Sequence, residues 1–434
     1  MMPPPPAAAR PAASQMPEGG VTTKSGDHGA PPGISRGLTL AMAFAAGAAV
    51  ANLYYNQPML GIMEHDLGTP GPAGLVAPGL TGFVPTATQL GYAAGLFLLV
   101  PLGDLMDRRR LITAQFVLLA AALALVALAP TAGLVMLASL AMGACATVAQ
   151  QVVPFAASLA APARRGRTMG TVMAGVLCGI LLSRTVSGFV GTHMGWREMF
   201  WLAVPLTLGM AWLMAARLPR NQPYQAIGYG TALASLAWLW RQEPLLRRAT
   251  VVQGALFASF TAFWTVLALH LQEPRFHLGA DVAGLFGIVG AVGVLAAPLA
   301  GRIADRRGPA LVIGAGALLT VLSWGLVSLW GAVPGLVLGV VVLDFGVQSA
   351  LVSNQHVVFA LQPAARSRLN TVFMTGMFVG GSAGSAGATL AWGLAGWPGV
   401  CGFGAALAAV ALAAEAAGRL GGARGAAAVG EQAV

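Results

Sequence analysis

The sequence predicts an all-α integral membrane protein, with twelve transmembrane helices in two pseudo-symmetric six-helix bundles. Three observations lead there. Of the 434 residues, 57% are hydrophobic and 9% charged, with a mean hydropathy of +0.74, whereas an average soluble domain is roughly 25% charged. The apolar residues fall into runs of about 20, the length that crosses a hydrocarbon core about 30 Å thick. The second half of the chain also repeats features of the first.

Residues 1–36 are rich in Pro, Ala and Gly without an apolar stretch, and are expected to form a disordered cytoplasmic tail. No basic start is followed at once by an apolar run, so no cleavable signal peptide is expected and the first span stays in the mature protein. Six spans are expected near 37–62, 79–102, 111–129, 132–160, 168–192 and 197–217, making an N-terminal bundle over 37–217. Six more are expected near 249–271, 282–301, 309–331, 334–361, 369–392 and 397–417, making a C-terminal bundle over 249–417 and leaving 418–434 as a cytoplasmic tail. Between the bundles lies a central cytoplasmic loop, 218–248. Its stretch "YGTALASLAWLWRQEPLLRR" carries Trp238, Trp240 and flanking arginines, which fits either a helix lying in the membrane interface or a partly ordered linker.

The net charge of +10 does not imply nucleic acid, because the basic residues are dispersed among short loops. Arg108 to Arg110, Arg164, Arg165, Arg167, Arg302, Arg306, Arg307, Arg366 and Arg368 all fall on one side, and the other side has only Arg197 and Arg275. Positive charge stays inside, so both termini are expected to be cytoplasmic. The three cysteines read as small hydrophobes, and the six histidines form no HxxxH pair. No metal or other cofactor is expected, and no ATP-binding motif is visible.

The repeat is specific. "PLGDLMDRRR" after the second span matches "PLAGRIADRRG" after the eighth, aligning Gly103, Asp107 and Arg108 with Gly301, Asp305 and Arg306. "PARRGRTMGTV" before span five matches "PAARSRLNTV" before span eleven. Two six-helix halves thus repeat in the same orientation. With the long middle loop and "GxxxDR" after spans two and eight, the chain resembles the major facilitator superfamily over nearly all of its length beyond the tail. "ANLYYNQPML" in the first span resembles a bacterial branch close to the drug and metabolite efflux proteins. The fifth-span antiporter pattern is met at Gly175 and Gly179 but not at Ile180, Ser183 and Arg184. The resemblance implies the twelve-helix fold, a bacterial inner membrane, a monomer working in the lipid bilayer, and a cavity lined by spans one, four, seven and ten. It also implies a latch at Asp107 and Asp305 that breaks and reforms as the halves rock, with Arg108, Arg306 and the two glycines alongside. Helix capping is the plainer role for the same aspartates.

Asp344 in span ten is the carboxylate placed well inside the hydrocarbon region, where a charged form is costly. That makes it the candidate proton-binding group, against a static role in packing. Gln348 and Gln355 follow it on one helical face. Span four offers Gln150 and Gln151, which align with Asn354 and Gln355 in the repeat. Span one offers Asn52, Tyr55 and Asn56, and span seven Phe260, Phe263, Trp264 and His270. Aromatic and amide groups around a cavity suit a mostly apolar organic solute, the expected small-molecule substrate. Some of these groups are expected to join helices instead.

Arg184 is the outstanding cation. It lies about 24 Å along span five, and Asp344 about 15 Å in from Pro334, so their depths match. A guanidinium cannot lose its proton, so Arg184 must snorkel, meet water, or pair with a carboxylate. The expectation is a cavity-facing Arg184 that pairs with Asp344 in at least one state or binds an acidic group of the substrate. Functionally, proton-coupled efflux of a small organic solute leads. An importer or facilitator of an anionic metabolite is the alternative, and an intramembrane enzyme or a non-transporting sensor the remote one.

Overall fold

The computed structural model describes residues 34–68, 79–220, 228–290, 292–362 and 365–431. The expected tail therefore lies almost wholly outside the described residues. Among these residues ten helices are long and apolar enough to cross a membrane. One of them, Arg366–Arg419, breaks at Ala395 and Gly396 and so supplies spans eleven and twelve. The helices Ala280–Gly290 and Val292–Arg307 together form span eight. The described residues thus accommodate the twelve expected spans. Helix is the economical answer in lipid, because every backbone group must find its partner within the segment.

The remaining spans are Arg36–Leu67, Leu80–Asp104, Arg108–Leu128, Ala132–Leu159, Pro162–His193 and Trp196–Arg217 in the first half, then Pro244–Leu271, Pro309–Leu329 and Val333–Leu361 in the second. Several run past their expected ends. Span seven starts at Pro244, where a proline suits the first helical turn, rather than at 249. The last helix continues to Glu431 instead of ending at 417. Between the halves, Tyr229–Gln242 is a helix with Ala232, Leu236 and Leu239 buried and Trp238 exposed. Its Tyr229 hydroxyl donates to Leu98 O of span two.

Span one is interrupted. Its helix stops at Ala51, turns through Asn52–Tyr55 and restarts at Asn56. Pro58 has no N–H to give the preceding turn, and Asn52 Nδ2 caps the end of the first helix, donating to Ala48 O at 2.7 Å and Ala49 O at 3.1 Å.

Within each half, glycines set the packing. A Cβ on Gly47 would stand 2.4 Å from Gly175 O, and one on Gly179 2.2 Å from Gly47 O, so spans one and five touch backbone to backbone. Spans seven and eleven, their counterparts in the repeat, do the same: a Cβ on Gly380 would stand 2.3 Å from Gly254 O, and one on Gly384 2.1 Å from Ala258 O. In lipid such small-residue contacts replace the hydrophobic effect as the force joining helices.

The loops of Arg108, Arg165, Arg306 and Arg366 mark one basic face. The halves are sealed toward the other face by hydroxyls. Thr86 Oγ1 donates to Ser385 Oγ (3.0 Å), Thr389 Oγ1 to Gly82 O (2.9 Å) and Thr185 Oγ1 to Gly284 O (3.1 Å), while Asp281 N donates to Thr192 Oγ1 (3.1 Å). Toward the basic face, no hydrogen bond joins a span of one half to a span of the other among the described residues.

Candidate functional site

The break in span one and the glycines of span eight let three side chains, Gln57, Tyr54 and Trp264, gather on Arg184. Its Nε donates to Gln57 Oε1 at 3.0 Å. Its guanidinium lies over Trp264 with Cζ 4.0 Å from the ring centroid, and over Tyr54 at 4.4 Å. Such a stack stabilises a desolvated cation by about 2 kcal/mol or more at best. Arg184 is 3% exposed and Asp344 6%, so snorkelling is not what this arginine does.

Span eight allows the approach because it lacks side chains where it meets both charges. A Cβ on Gly284 would stand 2.5 Å from Arg184 O, and one on Gly287 3.0 Å from Arg184 Cβ. Further along the same helix, a Cβ on Gly290 would stand 2.3 Å from Asp344 Oδ2 and 3.3 Å from Trp264 Cζ2, and one on Gly293 3.0 Å from Asp344 Cβ. Trp264 therefore meets the guanidinium with its face and lies beside the carboxylate at its edge. The expected direct ion pair is absent from this state: Arg184 and Asp344 make no salt bridge among the described residues, with Trp264 lying against both. Arg184 Nη2 and Asp344 Oδ1 are buried without a hydrogen-bond partner. Buried polar atoms without partners are costly, and the gathering of two such charged groups around one indole marks this as the candidate site.

Other sequence-selected residues turn elsewhere. Asn52 caps the helix that ends before the break in its own span. Tyr55 packs edge-on against Phe200 at 6.5 Å, and Asn56 Nδ2 donates to Thr88 Oγ1 at 2.8 Å. The face of span one that meets the site is Tyr54 and Gln57, because the break at Asn52–Tyr55 interrupts the 3.6-residue periodicity. Gln150 Nε2 donates to Tyr92 Oη (3.2 Å), whose ring packs on Phe378 of the second half (4.4 Å). Gln151 Nε2 donates to Gln115 Oε1 (2.7 Å), Asn354 Nδ2 to Gln253 Oε1 (3.1 Å), and Gln355 Nε2 points to Met374 Sδ (3.9 Å). These amides join helices within a half and do not face one another. Gln348 is half-buried on span ten. His270 stacks on Trp397 at 3.8 Å and meets Glu273 and Arg275, away from the site.

In the first signature loop Asp107 caps the next helix, its carboxylate accepting from Arg109 N at 2.9 Å. Arg108 binds Gly103 O (2.9 Å) and Asp104 Oδ1 (2.8 Å), so Asp104 is the acid on the arginine. Gly103 abuts Gln151. In the second loop Gly301 has nothing within 4 Å of where a Cβ would stand, and Asp305 and Arg306 are exposed.

Residues 42–385 match the family model described as Major Facilitator Superfamily. The chain belongs to that superfamily. It is 39% identical over 382 residues to the "Putative uncharacterized transporter YgaY" of Escherichia coli (strain K12), covering 87% of this chain and 95% of that protein. It is 32% identical to the "Probable transporter SCO4007" of Streptomyces coelicolor, covering 86% and 85%. It is 26% identical to the "Chloramphenicol resistance protein" of Streptomyces lividans, covering 64% and 72%. In fold it is similar to a crystal structure of the nucleoside transporter NupG, with a TM-score of 0.70 at 14% identity over 88% of this chain and 98% of that one. The protein is thus a multi-pass membrane transporter of this family, and not an enzyme.

Proposed function

We propose that this transporter exports a small organic solute in exchange for protons by alternating access. The observation that carries the reading is the pair of buried charged groups, Arg184 from the first half and Asp344 from the second, each with an unpartnered atom and both held around Trp264. A carboxylate at this depth is costly when charged, so Asp344 has reason to take up a proton when solute leaves and to release it when solute binds. Arg184 keeps its charge throughout and so favours the charged carboxylate whenever Trp264 lets the two approach. Efflux is supported by the similarity to the chloramphenicol resistance protein. The arginine asymmetry of the loops supports a cytoplasmic basic face and cytoplasmic termini in the inner membrane. On that orientation the hydroxyl contacts lie at the external face and hold it closed. Residues 37–217 and 249–417 rock as two bodies within one monomer, tied by 218–248 beyond a tail at 1–36. The signature loops at Asp107–Arg108 and Asp305–Arg306 close the basic face in the other half of the cycle.

The test is counterflow of labelled solutes in proteoliposomes with and without a pH gradient, wild type against Asp344→Asn. Export driven by the gradient in wild type and indifferent to it in the variant is expected. Gradient-driven export at the wild-type rate by Asp344→Asn would remove the proton role. The unpartnered Arg184 Nη2 favours a second reading, an importer or facilitator of an anionic metabolite. Uptake of an anion unaffected by the pH gradient would select it.

A further inference from the structure

Outside this site a groove of about 610 Å³ lies beside the connecting helix, within the range of roughly 300–1,000 Å³ of sites that hold whole ligands. Its floor is small because spans seven and eleven meet there through Gly254, Gly376 and Gly380. Its rim carries Val251, Val379 and Trp240, all exposed. The polar side chains on its wall are Thr250, whose hydroxyl donates to Leu246 O of its own helix, and Thr375. Apart from the unpartnered Thr375 hydroxyl, a polar solute finds little to bind, whereas a hydrocarbon chain meets apolar side chains over most of the wall.

Two arginines neighbour the groove's lining residues at the end where the connecting helix meets span seven. Arg247 is exposed one turn before Val251 and on the same helical face. Arg241 is exposed next to Trp240, an interfacial residue type that sits at headgroup depth. Neither arginine is in a salt bridge among the described residues, and Arg247 Nη1 leans on Arg241 O at 3.5 Å, which keeps the two together. Planar guanidinium forks suit phosphate oxygens. We propose that this groove holds an acyl chain of an anionic phospholipid whose phosphate sits on Arg241 and Arg247. Basic pockets between spans on the cytoplasmic side are places where anionic headgroups bind. One wall, Phe97, belongs to span two of the first half and the rest to the second half and connecting helix, so the bound chain lies across the moving seam.

Brominated acyl chains quench indole fluorescence on contact, and Trp240 lines the groove. The full chain in phosphatidylcholine nanodiscs would be compared with discs containing acyl-brominated phosphatidylglycerol or, in equal amount, acyl-brominated phosphatidylcholine. The Trp240 signal is the difference between wild type and Trp240→Phe. At least about twofold stronger quenching by the anionic lipid is expected, with the difference lost in Arg241→Ala/Arg247→Ala. Retention of quenching by brominated phosphatidylcholine in that double variant shows that it is folded and that the groove is intact. Equal quenching by both headgroups, absence of quenching by either, or a headgroup preference that survives the double substitution would each overturn the proposal.

Discussion

A guanidinium stacked between two rings and tied through Nε has one side left over, and at Arg184 that side ends in the unpartnered Nη2. Lysine would keep the charge but not the planar stack or the fixed fork. Arg184→Lys is therefore expected to leave expression and monodispersity intact and to lower transport by about tenfold or more. Arg184→Ala should in addition lower thermal stability, because it empties the buried contacts with Trp264 and Tyr54 and leaves Gln57 Oε1 without its donor. Unchanged transport in both variants would return the arginine to a packing role. At this scale the sequence was half informative. A cation and a carboxylate in apolar helices are conspicuous, and their matching depths follow from helical rise. Gln57 and Tyr54 were not legible, because the turn at Asn52–Tyr55 rotates the next helix out of simple periodicity. Pro58 was the available signal for that turn.

At the scale of elements, the glycine contacts of spans one and five recur in spans seven and eleven. Substituting Gly179 or Gly380 by Leu meets backbone on the facing helix, which cannot yield as a side chain does. Each is expected to destabilise by at least about 1–3 kcal/mol, read as an earlier transition in a thermal assay of detergent-solubilised protein. Gly170→Leu, with nothing within 4 Å of its would-be Cβ, is expected to melt with the wild type. Equal melting of all three would mean that the close contacts do not hold the bundles. The run "GMFVGGSAGSAG" announced close packing in span eleven by its four-residue spacing. In span eight the spacing of Gly284, Gly287, Gly290 and Gly293 was equally visible, but spacing alone does not reveal which neighbours a bare helix face meets. The signature loop teaches the same limit. Asp107 is readable as a cap from its place before a helix, whereas the choice of Asp104 by Arg108 depends on the short helix Val100–Asp104.

For the whole molecule, composition, span length and the doubled loop motif were sufficient to reach the fold, because lipid leaves few architectures open. Which faces of the halves touch was not encoded in any local pattern. The contact of Thr86 with Ser385 allows a direct test of rocking. In a chain with Cys145, Cys178 and Cys401 replaced, Thr86→Cys/Ser385→Cys stands within disulfide reach. Oxidation is expected to abolish transport and reductant to restore it. Full activity of the cross-linked protein would exclude separation of the halves at that face.

That seam has an energetic meaning. Hydroxyl-to-hydroxyl and hydroxyl-to-carbonyl bonds are traded for bonds to water at a net difference of only about 0.5–1.5 kcal/mol each. Each such bond is individually weak, beside the close backbone contact that Gly188 and Ala280 make between spans five and eight. The resting balance between the two ends of the cycle is consequently adjustable in small increments. Exchanging one seam threonine for valine should shift the occupancy of the sealed state several-fold without touching Arg184 or Asp344.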